Sequence, residues 1–329
     1  MSLLTNIALF LVGLVAIVKG ADWLTDGAAS IAKRFGIPSV VVGLTIVAIG
    51  SSAPEFVVSV LSAIQGNADI ALGNIVGSNI FNILGIMGIT AMVRPIAVQK
   101  ANVRYDVPFA VLSSIAIAAP ALLPNSCGVR GIERDEGILM LCFFAIFIYY
   151  TIVLAINQKE KTKEEGQQQQ GREPIVLWKA VVGVVAGLAF LLLGGDWLVD
   201  GASGLALSMG ISQSIVALTI VSIGTSAPEL AASVIAAKKG DTGMALGNVV
   251  GSVVFNVFYV LGVAAAISPL GMGGITSVDI IVLLVSSILL WVFCAFGKKN
   301  YTLTRSEGFV FTILVVAYYV YLVMNEGMK

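Results

Sequence analysis

Histidine is absent from this chain, and only three of its 329 residues are cysteine. Without imidazole the usual general base and the usual zinc ligand are missing, so oxygen donors, which suit hard cations, are the only ligands available in quantity. Cys127, Cys142 and Cys294 show no CxxC spacing, which points to neither a disulfide framework nor a thiolate metal site. They read as small apolar filler. Charge is scarce as well: 12% of residues are charged, and nineteen basic residues cancel nineteen acidic ones. No global field points to nucleic acid or to an acidic partner. An intramembrane enzyme finds no support either, since histidine and a paired aspartate motif are both missing; the chain reads as non-enzymatic and without a cofactor.

What abounds is apolar. The chain is 58% hydrophobic with a mean hydropathy of +0.97, far outside the range of soluble domains. Stretches long enough to cross about 30 Å of hydrocarbon recur along its whole length. They predict spans at roughly 3–24, 37–64, 70–93, 104–123, 133–156, 174–198, 211–237, 242–267, 277–296 and 306–325. The fold class expected is an all-α polytopic membrane protein with about ten transmembrane helices. Leu3 to Val18 lacks a basic region before it and a small-residue cleavage site after it, so it reads as the first span and not as a removable leader. The polar stretch 157–173, with Gln167 to Gln170, reads as a flexible cytoplasmic linker between 1–156 and 174–329.

Basic residues fix the expected orientation. With the N-terminus outside, sixteen of nineteen fall on the cytoplasmic side and only Arg130, Arg134 and Lys329 lie outside. Both termini are then external, in a multi-pass protein of the cell (inner) membrane.

The two halves repeat each other. Gly20-Ala21-Asp22-Trp23-Leu24-Thr25-Asp26-Gly27 recurs as Gly194-Gly195-Asp196-Trp197-Leu198-Val199-Asp200-Gly201, an offset of 174 that also carries Pro54-Glu55 to Pro228-Glu229 and Pro95 to Pro269. Five predicted spans separate each position from its copy, and an odd number of crossings inverts the second copy in the membrane. Inverted repeats are typical of secondary transporters, whose sites form at the midplane from interrupted helices of both halves.

Glu55 and Glu229 lie inside apolar stretches, where an ionisable group costs about 2.5–3.5 kcal/mol by insertion scales. No Lys or Arg lies at comparable depth, so a bound cation is the natural partner. Each Glu follows Gly-Ser/Thr-Ser-Ala-Pro, and Pro54 or Pro228 cannot donate the backbone hydrogen bond of a continuous helix, which frees carbonyls one turn earlier. Ser51, Ser52 and Glu55 fall at i, i+1 and i+4, and so do Thr225, Ser226 and Glu229, so hydroxyls and carboxylate share one side of each break. The following spans carry Asn74, Ser78 and Asn82, mirrored by Asn248, Ser252 and Asn256, as polar stripes on apolar helices. Asn74 and Asn248 suit interhelical hydrogen bonds as well as function. Gly73/Gly77 and Gly247/Gly251 are spaced for close helix packing. Asp22, Asp26, Asp196 and Asp200, with Trp23 and Trp197, read first as anchors at span ends and second as a gate that attracts cations.

These segments, Gly-Ser-Ser-Ala-Pro-Glu at 50–55 with Gly-Asn-Ile-Val-Gly-Ser-Asn-Ile-Phe-Asn at 73–82, and Gly-Thr-Ser-Ala-Pro-Glu at 224–229 with Gly-Asn-Val-Val-Gly-Ser-Val-Val-Phe-Asn at 247–256, resemble the two alpha repeats of the sodium/calcium exchanger family, within the cation/calcium antiporter superfamily. On that resemblance the alpha-1 motif covers about 43–95 and the alpha-2 motif about 217–269. It implies that the first and sixth helices slide across a compact bundle. It also implies a ligand set for calcium and sodium: Ala48, Ser51, Ser52, Glu55, Ser78 and Asn82 from one repeat, and Ser222, Thr225, Ser226, Glu229, Ser252 and Asn256 from the other. Many family members carry Asp where this chain has Asn256, which leaves two carboxylates here and puts the number of sodium ions in question. The short linker has no room for regulatory domains, so the chain resembles the compact prokaryotic type. Sodium-driven calcium antiport is the function this implies; potassium-dependent or proton-coupled exchange and a passive cation channel are the alternatives.

Overall fold

The structure, a computed structural model, describes residues 3–66, 68–123, 130–164, 176–209, 222–272 and 274–326. Its described elements are α1 (Leu3–Phe35), α2 (Ser39–Ser51), α3 (Ala53–Ile64), α4 (Ile70–Val93), β1 (Ile96–Ala97), α5 (Asn102–Leu122), β2 (Gly131–Ile132), α6 (Arg134–Glu164), α7 (Leu177–Ser208), α8 (Ser222–Thr225), α9 (Ala227–Lys239), α10 (Thr242–Ile267), β3 (Leu270–Gly271), α11 (Ser277–Phe296), β4 (Thr302–Leu303) and α12 (Arg305–Glu326). Eight of these helices are long and apolar enough to cross a membrane, and α2 with α3 make a ninth candidate bent by 50°. The predicted span 211–237 falls partly outside the described residues; α8 and α9 are its described part.

Local chemistry sets the ends. Gly36 (φ 65°) and Gly240 (φ 95°) take the left-handed conformation that stops α1 and α9. Asp241 caps α10 by accepting from the Met244 N–H at 2.9 Å. Thr276 and Asp279 form a reciprocal capping box at the start of α11. Two differences from the sequence reading stand out. Helices α1 and α7 run 33 and 32 residues, about 50 Å at 1.5 Å per residue, so they extend well beyond the hydrocarbon thickness. Helix α6 continues to Glu164, into the stretch read as a flexible linker, because its Lys and Glu residues are good helix formers.

Helices α4 and α10 form the centre: 83% and 78% of their apolar windows are buried, against 28% for α1 and α7. Peripheral faces carry exposed apolar side chains such as Leu4, Val15, Val185 and Leu193, the lipid-facing surface expected where hydrocarbon is the solvent. Two small antiparallel pairs tie the ends together, β1 to β4 (Ile96 opposite Leu303) and β2 to β3 (Ile132 opposite Leu270).

Helices α1 and α7, copies of each other at the 174 offset, pack antiparallel along a heptad of glycines. A Cβ added at Gly13 would lie 2.8 Å from the Gly194 carbonyl oxygen, one at Gly20 2.7 Å from that of Gly187, and one at Gly201 2.7 Å from that of Asn6. Nothing larger than hydrogen fits, so the two backbones touch without interlocking side chains. Gly20→Leu is expected to destabilise the chain by about 1–3 kcal/mol, an overpacking cost. Thermal unfolding of the detergent-purified protein checks this: a lowered midpoint for Gly20→Leu beside an unchanged one for Gly274→Ala, where a Cβ meets nothing within 4 Å.

Candidate functional site

The break between α2 and α3 falls at Ser52, whose φ −83° and ψ 12° leave the helical range, and Ser226 (φ −91°, ψ 8°) repeats it between α8 and α9. In each case the proline two residues later supplies no N–H and sits in the first turn of the new helix, where none is needed. Glu55 and Glu229 therefore stand in the first turns of α3 and α9, with the N-terminal dipoles of those helices favouring their negative charge.

The structure brings the two breaks together. The Ser52 hydroxyl donates to Glu229 Oε1 at 2.8 Å, and the Ser226 hydroxyl to Glu55 Oε1 at 3.3 Å, so each serine serves the carboxylate of the other half. Ser78 also donates to Glu55 Oε1, at 3.4 Å. Ser51 points to Asn248 Oδ1 (3.3 Å) and to the Ala48 carbonyl (3.4 Å). Glu55, Glu229, Ser51, Ser52, Ser226, Ser78, Ser252, Asn82, Asn256 and Ala48 are all buried, and Thr225 is half-buried. The backbone of Ser222 lies in α8, but its side chain is outside the described residues. Asn82 and Asn256 each sit on a π-helical turn, Phe81–Ile86 in α4 and Asn256–Leu261 in α10, an irregularity frequent at functional sites.

Hydrogen bonding in this cluster is incomplete. Nine buried side-chain atoms of the described residues have no hydrogen-bond partner, and six belong here: Oε2 of Glu55 and of Glu229, both amide atoms of Asn82, Oδ1 of Asn256 and Oγ of Ser252. An orphaned buried polar atom costs about 1–3 kcal/mol, more when charged, and six such atoms fall on the two broken spans and the helices that follow them, unsatisfied by the protein's own groups. Five of the six are oxygens, and a hard cation takes six to eight oxygen ligands. Among the described residues no group of three or more Asp, Glu or Cys converges as a metal cluster. The charge is therefore that of two carboxylates, enough to neutralise one divalent or two monovalent cations.

Other predicted residues serve different ends. Asn74 donates to the Glu55 carbonyl (3.4 Å) and Ser59 Oγ (3.0 Å), and Asn248 does the same to Glu229 (3.2 Å) and Ser233 (2.9 Å), so both brace the break and the adjoining helix. A Cβ at Gly251 would lie 2.7 Å from the Leu44 carbonyl oxygen, which bears out close packing there. Asp22 and Asp26 lie apart from the cluster: Lys239 Nζ pairs with their carboxylates at 2.6 and 2.9 Å, joining α1 to the end of α9. The 174 offset puts Gln65 at the matching position in the first half, so this pair has no copy. The buried Asn79, which contacts Asn256, was missed by sequence reasoning. Asn79 donates to the Val253 carbonyl at 3.2 Å and accepts from Asn256 Nδ2 at 3.1 Å. The signal was present: Asn79 is where the alpha-1 motif reads Asn and its copy reads Val253.

Comparison with known proteins points to one family. The family model described as sodium/calcium exchanger protein matches residues 5–153 and 179–325. The putative antiporter CaxA of Alkalimonas amylolytica is 41% identical over 263 residues, 79% of this chain and 80% of its own. The inner membrane protein YrbG of Escherichia coli is 33% identical over 297 residues, covering 86% and 88%. A solved structure of the sodium-calcium exchanger NCX_Mj, soaked with Na+ and Ca2+, superposes with a TM-score of 0.79 at 30% identity, over 98% of this chain and 99% of that one.

Were a divalent ion held between the two glutamates, removing either charge would leave the other carboxylate facing it alone. Glu55→Gln and Glu229→Gln are each expected to reduce calcium uptake into sodium-loaded proteoliposomes by at least about a hundredfold, the loss of one charged ligand from a buried site. Near-normal uptake by either variant would remove that residue from the site.

Proposed function

The chain belongs to the sodium/calcium exchanger family, and we propose that it is a secondary active antiporter exchanging sodium for calcium by alternating access. The observation that carries this reading is the convergence of Glu55 and Glu229 with orphaned oxygens at two facing helix breaks. The remaining ligands in this reading are Ser51, Ser52, Ser78 and Asn82 with the Ala48 carbonyl, and Thr225, Ser226, Ser252 and Asn256 with the Ser222 carbonyl. Calcium takes both carboxylates; sodium ions take overlapping hydroxyls and carbonyls, so the two species compete. The architecture proposed is ten crossings in two inverted five-helix repeats, with both termini outside the cell membrane. The antiparallel packing of α1 on α7 and the matched strand pairs support it.

Only an occupied site repays the burial of two charges, which keeps the unloaded carrier from changing face and couples the ions. In this scheme the α1–α7 pair slides as a smooth unit over the bundle. Lys239 with Asp22 and Asp26 holds it at one end. The pair is partly exposed and each contact is worth roughly 0.2–1 kcal/mol, little enough to be broken in each cycle.

Stoichiometry sets the driving force. A tenfold sodium gradient supplies about 1.4 kcal/mol per ion, and one net charge crossing 100 mV about 2.3 kcal/mol. Three sodium ions per calcium give roughly 6.5 kcal/mol, enough for a calcium gradient on the order of 10⁴ or more; two give roughly 2.8 kcal/mol, about 10². Asn256 is the residue that bears on this number, since Asp there adds a third charge.

Calcium flux into proteoliposomes with and without internal sodium tests the reading. Exchange predicts uptake only against opposing sodium, whereas a channel passes calcium either way. Asn256→Asp is expected to change the sodium Hill coefficient or the charge moved per calcium, measured by flux and current together; unchanged values would take Asn256 out of the coupling.

A further inference from the structure

We infer that Asn79 is a positioning residue that turns the carboxamide of Asn256 so that its oxygen, and not its nitrogen, faces the ion site. The inference rests on the exchange reading above. A main-chain carbonyl can only accept a hydrogen bond. The Val253 carbonyl, 3.2 Å from Asn79, therefore requires the Asn79 amide nitrogen on its side. That orientation leaves Asn79 Oδ1 facing Asn256 at 3.1 Å, where only a donor is accepted. Asn256 must then turn Nδ2 toward Asn79, and its Oδ1 is the atom left without a partner. A relay of two bonds, polarised by one carbonyl, thus decides which end of the Asn256 amide meets a cation.

The first half lacks this device. The residue that would orient Asn82 in the same way is Val253, at the 174 offset from Asn79. Asn82 correspondingly has both amide atoms without a hydrogen-bond partner. All three asparagines are fully buried, so water does not set their orientation from outside. Two formally equivalent amides are therefore unequal: Asn256 is held as an oxygen donor, and Asn82 is free to turn. The relay also fits an amide better than a carboxylate at position 256. An ionised Asp there would set its charge against Asn79 Oδ1, which the Val253 carbonyl prevents from turning away.

Asn79→Val tests this, because it installs the residue that the second half already carries at the matching place. Released from the relay, Asn256 presents nitrogen to the site part of the time. The half-saturating concentration of at least one exchanged ion is expected to rise about five- to tenfold, the worth of one or two buried hydrogen bonds, with kcat changed less than about twofold. In an Asn256→Ala background the same substitution is expected to add no further shift, which separates action through Asn256 from a general packing effect. Asn79→Ala carries the same expectations should the valine variant fail to assemble. Ion affinities unchanged in Asn79→Val, or shifted equally with and without Asn256, would overturn the inference. The wild-type protein in the same series keeps the two readings apart. A wild type without sodium-dependent calcium uptake overturns the exchange reading, while a working wild type matched by Asn79→Val overturns only the role of Asn79.

Discussion

Two glutamates are buried in this protein, and among the described residues no lysine or arginine forms a salt bridge with them. Ionised carboxylates in a low-dielectric interior are costly unless paired, and serine hydroxyls donate to both of them. Much else follows from that constraint. The helices must break to offer extra oxygens and helix N-termini to the site, which accounts for Pro54 and Pro228. Helix α10 must lie close against the broken span, and Gly247 and Gly251 let it approach α2 at Val40 and Leu44. Asn74 and Asn248 then hold each break against its neighbouring helix. In the proposed function a cation completes the site and its loss leaves the carboxylates uncompensated, and that difference is the physical basis proposed for coupled transport.

Near-symmetry is the second theme, and the departures from it carry information. The 174 offset maps the breaks and glycine heptads of one half onto the other, and strand β1 onto β3. A strict copy would bind ions identically from both sides and present identical gates. Here Ser51 corresponds to Thr225, Asn79 to Val253, and Lys239 with its two aspartates to Gln65. The last two differences change a hydrogen bond and a pair of charges.

Much of this was legible in the sequence. Nine of the ten expected spans were, because hydrocarbon demands long apolar runs, and the boundaries at Thr242, Ile267, Ser277 and Phe296 agree with those expected. The breaks at Ser52 and Ser226 were, because proline removes a donor at a fixed place. Less legible were the lengths of α1 and α7, whose helices run on past the apolar part, and of α6, whose polar end keeps helical propensity. The cross-pairing of Ser52 with Glu229 and Ser226 with Glu55 follows from how the halves meet, which no local pattern encodes. The salt bridge of Lys239 joins residues more than 200 positions apart. Asn79 was visible as a mismatch between copies, but its role needed the position of the Val253 carbonyl.

The account stands on a single cation site shared by the two glutamates. Equilibrium binding of radioactive calcium to the detergent-purified chain, with sodium as competitor, tests it most directly. One calcium ion per chain is predicted, displaced by sodium and lost in both Glu55→Gln and Glu229→Gln. Two independent calcium ions, or one whose binding survives either substitution, would contradict it.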